Sequence, residues 1–111
     1  MKDGDVLLAT LRQADGAVKD RPVVLLRHVP PFNDLLVCGI STQVQKSADL
    51  DESSTLNDAD FRTSGLKSAS IIRLGFLAVL PRSDFRGRIG SVSKTRHRRL
   101  LERLAKFIRP K

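Results

Sequence analysis

The chain carries one cysteine, two histidines, no tryptophan and no tyrosine in 111 residues. A lone thiol forms no internal disulfide. Cys38 closes the apolar run Leu35-Leu36-Val37-Cys38, so it is expected as a packed, reduced side chain. His28 and His97, with no cysteine pair beside them, fall short of a zinc ligand set. Five Phe are the only aromatics, so a core must rest on Leu, Val and Ile. No apolar run approaches the ~18 residues of a membrane span. Charges at Lys2, Asp3 and Asp5 argue against a secretory signal. The expected setting is cytoplasmic, away from any membrane. A glycine-rich phosphate loop and a Gly-x-Ser-x-Gly elbow are both missing.

Positive charge, by contrast, is plentiful. There are 20 Lys+Arg against 12 Asp+Glu, a formal net charge of +8. Such an excess favours a polyanionic partner, because each cation placed near a phosphate releases a condensed counterion. The two signs are segregated. Arg82 to Lys111 holds 11 of the basic residues and only Asp84 and Glu102 as acids. Asp49, Asp51, Glu52, Asp58 and Asp60 share one central stretch. The expectation is a basic surface and a separate acidic loop. The bland alternative is a charged, soluble surface. Asp49/Asp51 and Asp58/Asp60 are acid pairs that can bind a hard cation, but a solvated loop is the simpler reading.

The pattern predicts one domain over 1–111, with one modest core and no room for a second. Asp5 to Leu11 is a strand, and Asp15-Gly16 marks a hairpin. Arg21-Pro22 opens a second strand, Val23 to Arg27. Pro30-Pro31 and Asn33-Asp34 form a turn, and a third strand runs from Leu35 to Val44. The stretch 46–64 reads as a long loop. Ser70 to Leu80 and Arg88 to Val92 complete about five strands. The periodic Leu100, Leu101, Leu104, Phe107 and Ile108 predict a helix over about 94–108, with Ser93 as N-cap. The fold class is mainly β with α: a small barrel closed by a C-terminal helix.

One metal-free reaction suits a basic RNA binder. The ribose 2′-hydroxyl attacks the adjacent phosphate and expels the 5′-oxygen. The protein moves two protons and stabilises the phosphorane with preorganised donors, a task that fits arginine forks. Gly4-Asp5-Val6, Arg21-Pro22-Val23-Val24-Leu25, Ile40-Ser41-Thr42-Gln43, Ser64-Gly65-Leu66, Ser70-Ile71-Ile72-Arg73 and Ile89-Gly90 together resemble MazF/PemK-type toxins. The resemblance covers nearly the whole chain. It implies an SH3-like barrel, usually a homodimer, that cuts single-stranded RNA without cofactor or metal. The implied products are a 2′,3′-cyclic phosphate and a 5′-hydroxyl. It also implies a cognate antitoxin whose acidic, flexible tail blocks the RNA groove, which suits a +8 partner.

Arg21 matches the arginine that binds the scissile phosphate. Ser41 stands where a threonine is usual, with Thr42 as the alternative one residue on. Arg73 matches an arginine found in some branches of the family. Arg12, Lys19, Gln43 and Arg82 are the candidate RNA contacts. Three departures stand out. The Asp that follows the fourth-strand arginine by two positions is Gly75 here, no His occurs from Arg12 to Asp20, and the usual Lys before Arg-Pro is Asp20. The general base and acid are therefore unassigned. Each candidate also has a plainer reading. Arg21 can be a strand-edge arginine paired with Asp20, and Ser41, Thr42 and Arg73 can be ordinary strand residues. The helix arginines can form a solvated face. A non-catalytic or degenerate SH3-like module is the competing function.

Overall fold

The computed structural model describes residues 1–111 apart from Gln13. Six strands form one antiparallel sheet: β1 (Asp5–Arg12), β2 (Val18–Val29), β3 (Asp34–Ser41), β4 (Glu52–Ser54), β5 (Ser70–Leu80) and β6 (Phe85–Ser91). Their order is β4-β5-β3-β2-β1-β6. A short helix, α1 (Phe61–Ser64), precedes β5, and α2 (Lys94–Ile108) ends the chain. Ser93 caps α2 by accepting from the Arg96 N–H at 3.1 Å. The β1–β2 turn holds Gly16 at φ +86°, and Asp15 Oδ1 accepts from the Ala17 N–H at 2.9 Å.

Several expectations change. Among the described residues there are six strands rather than about five, because 46–64 is not one irregular loop: it contains both β4 and α1. The pattern missed them because three- and four-residue elements are too short to show a period. Arg21-Pro22 does not open a strand either; it lies inside the twelve-residue β2. Proline is tolerated there because β3 pairs with β2 only from Val23 onward, so Pro22 has a ladder partner on the β1 side alone.

The sheet is a linear ladder with β4 and β6 at its ends, not a ring of hydrogen bonds. α1 draws those ends together. It lies between β4 and β5 in the chain, yet its last turn packs on β6. Two glycines allow this approach. Gly65, at φ +77°, is the left-handed residue that ends α1, and a methyl group there would collide with the Ile89 carbonyl oxygen. A methyl at Gly90 would meet the carbonyls of Thr63 and Ser64.

Two apolar clusters, not one, stabilise the sheet. Val6, Val24, Leu26, Cys38, Ile40 and Ile72 lie on the face covered by Leu100 and Leu104 of α2. Leu7, Ala9, Val23, Leu25, Leu35 and Val37 fill the other. Strand alternation sorts them: on β3 the even residues face α2 and the odd residues face away. β5 breaks the rule. Gly39 pairs with Arg73, but Cys38 pairs with Leu77, leaving Leu74, Gly75 and Phe76 between. The offset is odd, so β5 changes faces there. Ile72 and Leu74 join the α2-side cluster, whereas Ala78 and Leu80 pack on the opposite one.

The acidic stretch is not a separate solvated loop. Arg96, Arg99 and Arg103 recur along one face of α2 and grip it. The Arg96 guanidinium, 6% exposed, donates to both Asp60 oxygens (2.9 and 3.2 Å), to Glu52 (3.0 Å) and to the Ser53 carbonyl (3.1 Å). Arg99 makes a two-pronged bond to Glu52 at 2.7 and 2.9 Å. Arg103 donates to the Asp49 carbonyl. Burial alone would push the Asp60 carboxyl up. The Arg96 hydrogen bond, the Ser93 N–H and the guanidinium charge outweigh it and hold the group below the usual carboxylate range. Much of the helix's positive charge is thus matched inside the fold.

Candidate active site

The face bearing Leu7, Val23 and Val37 continues beyond its apolar cluster into a polar groove. Val23 faces Gly39 across the β2–β3 ladder. Two residues further along each strand are Arg21 and Ser41, which the same alternation puts side by side on that face. Arg21 also pairs in register with Ala9 of β1. Both side chains line a cavity of about 320 Å³, together with Arg12, Gln43, Arg73 and Phe76. Among the described residues lining this cavity there is no carboxylate and no imidazole.

Ser41 Oγ accepts from the Gln43 N–H at 3.1 Å. That bond uses an oxygen lone pair and leaves the hydroxyl proton to donate elsewhere. Arg73 is committed to the neighbouring loop. Its guanidinium donates to the carbonyls of Lys46 (2.9 Å) and Gln43 (3.2 Å) and lies 3.4 Å from Asp51. It therefore fixes the chain that follows Ser41. Asp20 turns to the opposite face, where Thr10 donates to it at 2.9 Å and Arg86 lies 3.5 Å away.

Thr42 falls on the other side of the sheet. It lines a second cavity of about 370 Å³ with Lys67, Ser68, Ser70 and Ile89. Arg21, Pro22 and Ile40 border both cavities. The structure thus brings Arg12, Arg21, Ser41, Gln43 and Arg73 together and sets Thr42 behind them. Lys19, on β2, is exposed and lines neither cavity. Arg82 sits in a one-turn 3-10 helix before β6, also outside both. Among the described residues no group of three or more His, Cys, Asp or Glu side chains is gathered to hold a metal. Cys38 is buried, and burial pushes its thiol up to about 12. His28 lies 3.0 Å from Asp3, and His97 donates from Nε2 to the Leu26 carbonyl at 2.8 Å.

Phe76 is a groove residue that the strand pattern hides. Its signal was Gly75, since a glycine inside a strand often marks a bulge. No described helix is long and apolar enough to cross a membrane.

A curled antiparallel sheet, a helix across one face and a cationic groove on the other define a class of small β-proteins. The chain matches the Mycobacterium tuberculosis toxin MazF-mt6 with a TM-score of 0.69 over 92% of its own length and 93% of that chain, at 23% identity. That likeness concerns the fold. No curated protein matches the chain. A family model described as PemK-like, MazF-like toxin of type II toxin-antitoxin system matches residues 2–108, and the chain belongs to that family.

Proposed function

We propose that this toxin is an endoribonuclease that cuts single-stranded RNA without a metal ion. The 2′-hydroxyl attacks the adjacent phosphate, giving a 2′,3′-cyclic phosphate and a 5′-hydroxyl. The juxtaposition of Arg21 and Ser41 in one groove carries the reading. Arg21 holds the scissile phosphate, as a fork suited to its oxygens. Ser41 donates its hydroxyl proton to a phosphate oxygen while the Gln43 N–H fixes its lone pair. Arg73 positions this segment through the Gln43 and Lys46 carbonyls. Arg12 and Gln43 contact the strand in the groove, with Lys19 and Arg82 further out. A cognate antitoxin with an acidic, flexible tail neutralises the toxin by occupying the same cationic groove. The working form is a cytoplasmic homodimer.

The test is cleavage of single-stranded RNA in EDTA, with the new ends assayed for cyclic phosphate. Arg21→Ala is expected to lower the rate by about 10²–10³-fold with the circular dichroism spectrum unchanged. A second reading is favoured by one observation: no carboxylate or imidazole appears among the described residues of the groove. Under it the chain binds RNA or antitoxin without cutting. Folded protein that binds RNA in EDTA yet leaves it intact selects that reading.

A further inference from the structure

Phe76 is half exposed, at 49%: Ile72 and Leu74 earlier on β5 are buried, but from Gly75 onward the strand comes to the surface, with Leu77 and Val79 exposed as well. An exposed phenylalanine forfeits burial energy unless something covers it. The β5 bulge explains its placement. Leu74 goes into the α2-side core, β5 changes faces across Gly75, and Phe76 emerges on the groove side. It lies against Gly39, where a Cβ would stand 3.0 Å from Phe76 Cδ1 and 3.3 Å from Cγ. Glycine at 39 thus lets the ring settle onto the sheet. Gly39 is also the register partner of both Val23 and Arg73, so the ring rests on β3 two residues from Ser41, in the cavity that Arg21 also lines. The same cavity therefore offers an aromatic face, three arginines and a hydroxyl.

That combination is the chemistry of single-strand recognition. Cations follow the phosphates, and an aromatic ring accepts an unstacked base. The cavity volume of about 320 Å³ falls at the lower end of the ~300–1,000 Å³ that accommodates a small ligand. We infer that Phe76 is the platform on which a base beside the scissile phosphate stacks, with Gly39 serving as its seat. The inference rests on the nuclease reading for the identity of that phosphate. Stacking is tolerant of base identity, so Phe76 supplies affinity and register, and the choice of base falls to polar neighbours such as Gln43. Phe76 is a binding residue and takes no part in proton transfer.

The test uses binding, so that it does not depend on cutting. A fluorescein-labelled single-stranded DNA copy of a cleaved RNA, or of an arbitrary mixed sequence if none is cut, lacks the 2′-hydroxyl and stays intact. Anisotropy is measured with wild type, Phe76→Ala, Phe76→Tyr and Gly39→Ala. Phe76→Ala is expected to bind about 5- to 150-fold more weakly. Phe76→Tyr should retain near wild-type affinity, and Gly39→Ala, which crowds the ring, should fall between. An abasic scan adds a readout that a merely structural role would not move. One abasic position should weaken wild type as much as Phe76→Ala does, and should cost Phe76→Ala nothing more. Where RNA is cut, Phe76→Ala should lower kcat/KM, chiefly through a higher KM. Equal affinity of wild type and Phe76→Ala overturns the inference, as does a wild type that binds no single strand. Platform-dependent binding by a protein that cuts no RNA removes the nuclease reading and leaves the platform standing.

Discussion

Replacing Arg96 with methionine should be among the most damaging single changes outside the two apolar clusters. Its guanidinium is 6% exposed and faces Asp60 and Glu52, themselves 8% and 5% exposed at the side chain. Glu52 keeps its two-pronged bond to Arg99 in the variant. Asp60 keeps backbone hydrogen bonds, from the Ser93 N–H at 3.0 Å and from its own backbone, but loses its cation. Removing one partner of a buried pair costs about 3–5 kcal/mol, and the surviving Arg99 bond places this case near 3 kcal/mol. Urea denaturation at pH 7 would read it directly, and the melting temperature should fall by on the order of 15 °C. Acid gives the sharper signature. In the wild type Asp60 sits below its unfolded value, so its stabilisation is present above about pH 4 and fades as the pH falls through the folded value. In Arg96→Met, burial without a cation raises the same carboxyl, and protonation then relieves the stranded charge. The gap between the two proteins should therefore narrow from pH 7 to pH 4. A loss under 1 kcal/mol at pH 7, or a gap indifferent to pH, would refute the reasoning. Arg96→Met combined with Asp60→Leu should recover part of the loss, because no charge remains unpaired.

Ser41→Ala should slow cleavage by about 10²-fold, Ser41→Thr should restore most of it, and Thr42→Ala should do less because its side chain faces the second cavity; single-turnover rates at saturating protein check all three. Arg73→Ala should free the Gln43 and Lys46 carbonyls, cost about 1–2 kcal/mol and speed tryptic cleavage after Lys46. Arg73→Lys should rescue poorly, since one ammonium cannot reproduce the fork. Native Cys38, with its thiol pushed up to about 12, should resist iodoacetamide at pH 8 and react once the chain is unfolded in urea.

The sequence showed the strands and the terminal helix well where their periods were long. Ser93 as cap and Gly65 at positive φ followed from local chemistry. The groove was partly legible, because the alternation that makes Val23 and Val37 core residues also puts Arg21 beside Ser41. Lys19 and Arg82, the other candidate RNA contacts, have side chains outside both cavities. The destination of the central acids was hidden. Glu52 and Asp60 meet Arg96 and Arg99 across 36 to 47 residues of chain, and composition shows only two opposite charge runs. A second cluster was unforeseen for a related reason. Alternation on one strand does not disclose that β5 crosses from one face to the other at Gly75.

The contact of α1 with β6 reaches beyond architecture. Strand rims are where foreign chains attach, by extending a ladder. Here the β6 rim near Ile89 and Gly90 is shut by the last turn of α1, and the opposite rim is three residues long with the Ser53 carbonyl already engaged by Arg96. A chain adding to the sheet therefore finds the rim closed at Ile89 and Gly90 and only three residues of strand at the opposite end. On the proposed antitoxin reading an acidic tail lies across the face instead and binds through the guanidinium groups there, so added salt should weaken it more than it would weaken strand addition.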